Sequence, residues 1–433
     1  MHLSAFVSAF RTPDLRKKLL FVLFILAIFR LGSVIPTPGV DYKAIQVCID
    51  RVQDNSLYGL INLFSGGALL QLSVFALGIM PYITASIILQ LLAVVIPRLE
   101  KLRKEGQAGQ AQITQYTRYL TIGLAVLQSA SILALARTPG RLFQGCDDQQ
   151  IVPDQSASQM VVMIITMTAG TATVMWLGEL ITDRGVGNGM SLLIFVSIIA
   201  VLPSQFLSIL QSHGLLAFII TLAVGVLVIA LVVFVEQGQR RIPVQHGRNQ
   251  VGRKFYGGAS TYIPLKVNMA GVIPVIFASS ILFVPTLIVQ LSGSDGPVAQ
   301  WFLQNFQAGT EPVYLATFLV LIVFFTYFYV SITFNPTEVA ENLNKSNGFI
   351  PGIRPGPPTA KYLQYVISRL TAPGSIYLGL IAVLPMVAFG FLGVAQNFVF
   401  GGTSLLIMVG VGLDTVKQIE SQLQQRNYEG FLR

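Results

Sequence analysis

The chain has 433 residues, of which 53% are hydrophobic and 11% charged, with a formal net charge of +9. A soluble domain carries about 25% charged residues, so this composition excludes a soluble globular protein and describes a polytopic all-α integral membrane protein. Two Trp and a few short Gly–Ser tracts leave no stretch for a large soluble domain.

Arg16, Lys17 and Lys18 precede the first long apolar run, and no small-x-small cleavage site precedes Ile35 and Pro36. That run is therefore expected to stay in the protein as the first span rather than to leave as a signal peptide. Ten spans are expected in all, at 19–36, 74–97, 118–137, 158–180, 188–206, 215–235, 270–291, 313–334, 371–390 and 398–416. They divide into two five-helix halves, 1–212 and 213–433, in the manner of transporters built from repeated halves. The halves share no evident sequence similarity, so the division rests on the count.

The segment after the first span is the most informative. No charge occurs from Asn55 to Pro97. As one helix, Leu60 to Pro97 would be about 57 Å long, against a bilayer core of about 30 Å. The segment must break, and Ser65-Gly66-Gly67 and Gly78-Ile79-Met80-Pro81 are the natural breakpoints. A short apolar piece folded back on itself, followed by a full span, is the result. Irregular backbone survives at membrane depth only inside protein or beside a water-filled cavity, so the chain is expected to surround a pore or a substrate site.

Placing the N-terminus in the cytoplasm leaves only Lys43, Arg51, Arg137 and Arg141 of the 28 Lys and Arg outside, with Arg30 inside the first span. This asymmetry predicts that both termini are cytoplasmic. Cys48 and Cys146 then fall in outer loops, where they are either paired in a disulfide or two free external thiols. Two cytoplasmic loops, 236–269 and 335–370, are basic and rich in Gly and Pro. Rigid turns such as Pro351-Gly352 and Pro355-Gly356 suit docking arms for a cytosolic partner better than plain tethers.

Several chemistries are missing from the sequence. There is no H-E-x-x-H and no G-x-S-x-G. Gly247 to Gly252 mimics a phosphate loop, but Arg253-Lys254 follows in place of Lys-Ser/Thr. Gly185-Val186-Gly187-Asn188-Gly189 reads as a tight turn into a span. No catalytic residue, metal site or cofactor is expected, and the chain is not expected to be an enzyme. Buried carboxylates are scarce: Glu179 and Glu236 sit at inner span ends. Secondary transport of a small solute, the alternative function, would call for a polar or charged midplane pocket.

Long motifs then coincide in order: NLFSGGALLQLSVFALGIMPYITASIILQLL, ITQYTRYL, WLGELITDRGVGNGMSLLIF, VEQGQRRIPV, STYIPLKVNMAGVIPVIFASSI, NGFIPGIRPGPPTAKYL and FGGTSLLIMVGVGLDT. Together they resemble the SecY/Sec61-alpha family of protein-conducting channels over essentially the whole chain. The resemblance implies a bacterial cell-membrane channel that passes unfolded preproteins and releases hydrophobic segments sideways into lipid. Its partners would be SecE and SecG in a heterotrimer, SecA, the ribosome, and signal sequences and nascent polypeptides.

By motif, the folded-back piece at about 60–72 corresponds to a plug, with Asn62, Phe64, Ser65, Gly66, Gly67 and Leu70. A pore ring is implied at Ile79, Ile83, Met190, Ile194, Ile276 and Ile407, where Met190 departs from a purely branched ring. An apolar neck of this kind dewets and blocks ions without a charge. Gln90, Gln128 and Asn268 match polar positions of a lateral gate in which spans two and three face seven and eight. Arg240, Arg241, Arg253, Lys254 and above all Arg354 match docking positions for SecA and the ribosome.

Overall fold

In the computed structural model, the described residues are 12–51, 67–69, 71–137, 150–154, 156–246, 249–251, 254–256, 260–292, 296–306, 311–392 and 402–430. They are mostly helical. Helix α1 (Pro13–Val34) starts with Pro at its first position, where the missing N–H costs nothing. The short helix α2 (Tyr42–Arg51) follows. Residues 71–79 then run in turns before α3 (Met80–Val95) begins at the expected Gly78–Pro81 break. The backbone bends by 101° between α3 and α4 (Pro97–Lys104), so the second span ends where Pro97 interrupts it.

Helices α5 (Gln107–Ala136) and α6 (Ala157–Arg184) follow. The fifth and sixth spans form one element, α7 (Gly189–Glu236), broken at Gly214, whose φ of 80° and ψ of 178° only glycine adopts freely. The C-terminal helices are α8 (Ile273–Ser292), α9 (Pro297–Phe306), α10 (Pro312–Thr333), α11 (Pro336–Lys345), α12 (Pro357–Leu392) and α13 (Gly402–Gly430). Among the described residues six helices are long and apolar enough to cross a membrane, or seven if the bent α3–α4 pair is one span. The count of ten is not reached on length and composition. In α1 the cause is local charge, since Lys17, Lys18 and Arg30 share its apolar window.

The basic loops hold the strands. β1 (Gln239–His246) pairs antiparallel with β4 (Ser260–Lys266), and its far end pairs with β5 (Gly348–Phe349). A separate hairpin joins β2 (Asn249–Val251) and β3 (Lys254–Tyr256). The order β4-β1-β5 welds the two basic loops into one sheet, which the all-helical expectation did not contain. Ile242 and Val244 alternate inward along β1 and bury against Leu363, Val366 and Ile367 of α12.

α7 lies against α13, α3 against α5, and α10 against α12. α8 touches both α3 and α5, so the segments before and after residue 212 meet along that seam.

Candidate functional site

The six ring positions come from four separate segments, and the fold gathers them. Ile79, Ile194 and Ile407 are buried in one apolar cluster with Phe29, Phe75, Val174 and Leu193. Ile83, Met190 and Ile276, each half-buried, pack against the same cluster. Ile79 and Ile83 lie four apart, as do Met190 and Ile194, so each pair shares a helix face.

Glycines set these side chains in place. A Cβ on Gly189 would lie 1.9 Å from the Gly178 carbonyl oxygen, so the α6 and α7 backbones touch there. A Cβ on Gly178 would lie 2.4 Å from the Met190 sulfur, which fixes where that methionine rests. Gly187 takes a φ of 91° in the tight turn expected from the glycine run. Asn188 caps α7 by accepting from the Met190 amide at 3.1 Å and the Ser191 amide at 3.4 Å. The Thr182 hydroxyl accepts from the Gly189 amide at 2.9 Å.

Upstream of Ile79 the turns are anchored from the first span. The Thr37 amide donates to the Leu72 carbonyl at 3.0 Å and the Val74 amide to the Ile35 carbonyl at 2.9 Å. Phe75 stacks on Phe29 with ring centroids 6.1 Å apart. Gly32 leaves the room for that ring, because a Cβ there would come within 2.1 Å of it. Leu72 is fully buried at a φ of 43°, an unfavourable backbone state for a bulky residue. Of the plug positions, Gly67 is described, in a turn with a φ of 91°. Asn62, Phe64, Ser65, Gly66 and Leu70 lie outside the described residues.

The three amides expected at a gate are placed separately. Gln90 is exposed and its amide donates to the Ser86 hydroxyl at 3.3 Å. Gln128 is half-buried on α5. Asn268 is buried and donates to Glu236 at 2.6 Å and to the Gly271 carbonyl at 3.1 Å. Among the described residues no hydrogen bond joins these amides to one another. A bidentate pair between Arg118 of α5 and Glu179 of α6, at 2.9 and 2.8 Å, went unforeseen. The signal for it was two isolated opposite charges at the adjoining ends of consecutive spans.

Arg240 and Arg241 are exposed on β1, and the Arg241 guanidinium sits 4.8 Å from the centre of the Tyr262 ring on β4. Arg354 is exposed in the turn between β5 and α12, between Gly352 (φ 83°) and Gly356 (φ 97°). Its carbonyl accepts from the Thr359 hydroxyl at 2.8 Å, which holds the turn closed. Lys254 lies on β3, and Arg253 is outside the described residues. Cys48 is buried and disulfide-bonded, while Cys146 lies outside the described residues. Among the described residues no cluster of His, Cys, Asp or Glu could hold a metal ion.

Comparison with known proteins now adds to this geometry. The family model described as SecY matches residues 73–416. The protein translocase subunit SecY of Streptomyces scabiei is 63% identical over 437 residues, covering 100% of both chains. That of Mycobacterium tuberculosis strain H37Rv is 60% identical over 442 residues, again covering 100% of both. A solved structure described as "The structure of a protein conducting channel" superimposes with a TM-score of 0.62 at 18% identity, covering 93% of this chain and 91% of the other. Sec61 in the canine ribosome-channel complex gives 0.60 at 16% identity, with the same coverage. At those identities the two structures speak for the fold.

Proposed function

From the premise that the chain belongs to the SecY family of protein translocase channel subunits, we propose that it passes unfolded preproteins through the apolar neck and opens sideways to lipid. The observation that carries this reading is the convergence of Ile79, Ile83, Met190, Ile194, Ile276 and Ile407 in one cluster at the junction of the halves. Apolar side chains without fixed hydrogen-bond partners part around a polypeptide and close again, and a narrow apolar neck excludes ions. The plug at 60–72 closes the outer side, next to the turns that lead to Ile79. Hydrophobic segments leave along the seam where α8 meets α3 and α5.

The drive comes from outside the chain. Arg354, Arg240, Arg241, Arg253 and Lys254 dock SecA or the ribosome, and the guanidinium fork suits RNA phosphates and protein carboxylates alike. The sheet supports this by holding both loops in one frame on α12. SecE and SecG complete the complex in the bacterial cell membrane, with both termini in the cytoplasm. Cys48 pairs with Cys146 across the outer loops.

The test is uptake of a signal-bearing precursor into proteoliposomes that hold this chain with SecE and SecG, with SecA and ATP added. ATP-dependent protease protection, lost in Arg354→Glu while the complex stays folded, is the expected result. Normal uptake by Arg354→Glu removes the docking assignment. No uptake by a folded, motor-bound complex removes the conduit.

A further inference from the structure

Helix α10 stops because of its sequence. Phe334 and Asn335 leave the helical conformation, with φ, ψ of −108°, 116° and −103°, 100°. Pro336 then opens α11, where its missing N–H is harmless. The cost falls one turn back. In an unbroken helix the Ile332 carbonyl would accept from the amide four residues on, and that residue is Pro336, which has none. The last turn of α10 is thus left with a carbonyl that needs a donor, at the negative end of the helix dipole.

The donor comes from the other half of the chain. Arg103 of α4 donates from Nη2 to the Ile332 carbonyl oxygen. α4 is built to present it. Leu99 and Leu102 bury with Leu89 and Ala93, which pins one face of α4 under the second span. A Cβ on Gly109 would lie 1.7 Å from the Leu102 carbonyl, so only glycine lets α4 fold this tightly onto α5. Arg103 is left on the exposed face. The Arg118–Glu179 and Asn268–Glu236 pairs each stay within one half, whereas Arg103 and Ile332 join α4 to α10 across the seam.

We propose that Arg103 is a positioning residue that latches the cytoplasmic end of the lateral gate, by supplying the Ile332 carbonyl with the donor that Pro336 withholds. This rests on the gate reading above and adds to it a named contact with a reason to exist. A charge-assisted bond at a wet helix end is weak enough to release when a hydrophobic segment wedges α3 and α5 away from α8 and α10. A fully buried pair would not release so readily.

The test uses the heterotrimer in nanodiscs, with nitroxides at Lys101→Cys of α4 and Ser331→Cys of α10 and the separation read by pulsed EPR. Without any peptide, Arg103→Ala is expected to raise the wide-gate population about two- to fivefold, the factor for losing one cation at an exposed helix C-terminus. Arg103→Lys, which keeps a donor, stays nearer the native distribution. The signal-peptide concentration that half-opens the gate falls in Arg103→Ala by the same factor. An unchanged distribution in Arg103→Ala overturns the latch, as does weaker SecA binding as its sole effect. The native residue with saturating signal peptide is the separate arm: widening there with no effect of Arg103→Ala removes the latch alone, while no widening removes the gate reading and the latch with it.

Discussion

The proposed neck and the proposed docking platform are both made where glycine and proline break regular structure, yet they are held in opposite ways. In the neck, backbone approaches backbone at Gly178 and Gly189, and the side chains presented to the centre are aliphatic. On the platform, β1 pairs with β4 from Gln239 to Gln245 and with β5 at Gln245 and His246, so Arg240 and Arg241 stand on a strand that cannot shift without breaking the ladder. The difference is one of where rigidity is placed. The neck fixes its frame and leaves its lining free to deform. The sheet fixes its surface, and on the docking reading proposed above this keeps Arg240 and Arg241 at a set spacing for a partner.

The largest effect is expected from breaking the frame of the neck. In Gly189→Val the new Cβ would sit 1.9 Å from the Gly178 carbonyl oxygen, and that atom is backbone and cannot swing aside. The α6–α7 hairpin must open, at a cost of about 3 kcal/mol. Thermal unfolding of the purified heterotrimer in detergent should show a clear fall in midpoint. A midpoint equal to that of the native complex would mean that this backbone contact is not what seats Met190 and Ile194.

How much of this could be read from the chain follows from the physics of each signal. The break before α3 was legible, because a charge-free run longer than the bilayer has to fold back and Gly78–Pro81 is where it can. Span ends were less legible. α5 begins at Gln107 rather than at 118, α12 at Pro357 rather than 371, and α13 runs on to Gly430 rather than 416. Hydropathy stops at the lipid boundary, but helical hydrogen bonds continue into water. The sheet was missed although Ile242 and Val244 carry its period-two pattern, because eight residues of β1 were read as part of a basic loop. Ring positions are implied only by the long motifs, since an isoleucine on a helix face says nothing by itself. The partner of Asn268 was not legible at all: its amide chooses Glu236, 32 residues upstream, over Gln90 and Gln128.

A smaller effect is expected from changing the lining while keeping the frame. Ile276 is half-buried, so Ile276→Asn leaves most packing intact while adding an amide that holds water in the neck. A polar group that removes about 1.4 kcal/mol from the dewetting barrier raises ion leak about tenfold. Conductance of the resting heterotrimer in planar bilayers reads this directly. A leak no greater than that of Ile276→Val would place Ile276 in ordinary packing and leave the seal to the other five positions.

The smallest effect sharpens the platform side. Tyr262 is 51% exposed and its ring lies under the Arg241 guanidinium. It contributes nothing to the buried underside of the sheet, where Ile242, Val244 and Leu265 do the packing. Its role is to hold the Arg241 fork in one orientation, and such an exposed cation–π contact contributes about 0.5–1 kcal/mol. Tyr262→Ala should therefore weaken SecA binding to the reconstituted complex about two- to fivefold, with the sheet and the thermal midpoint unchanged. Tyr262→Phe keeps the ring and should restore binding. If alanine and phenylalanine behave alike, Arg241 acts through charge alone, and the rigidity of the platform ends at the strands rather than reaching the side chains on them.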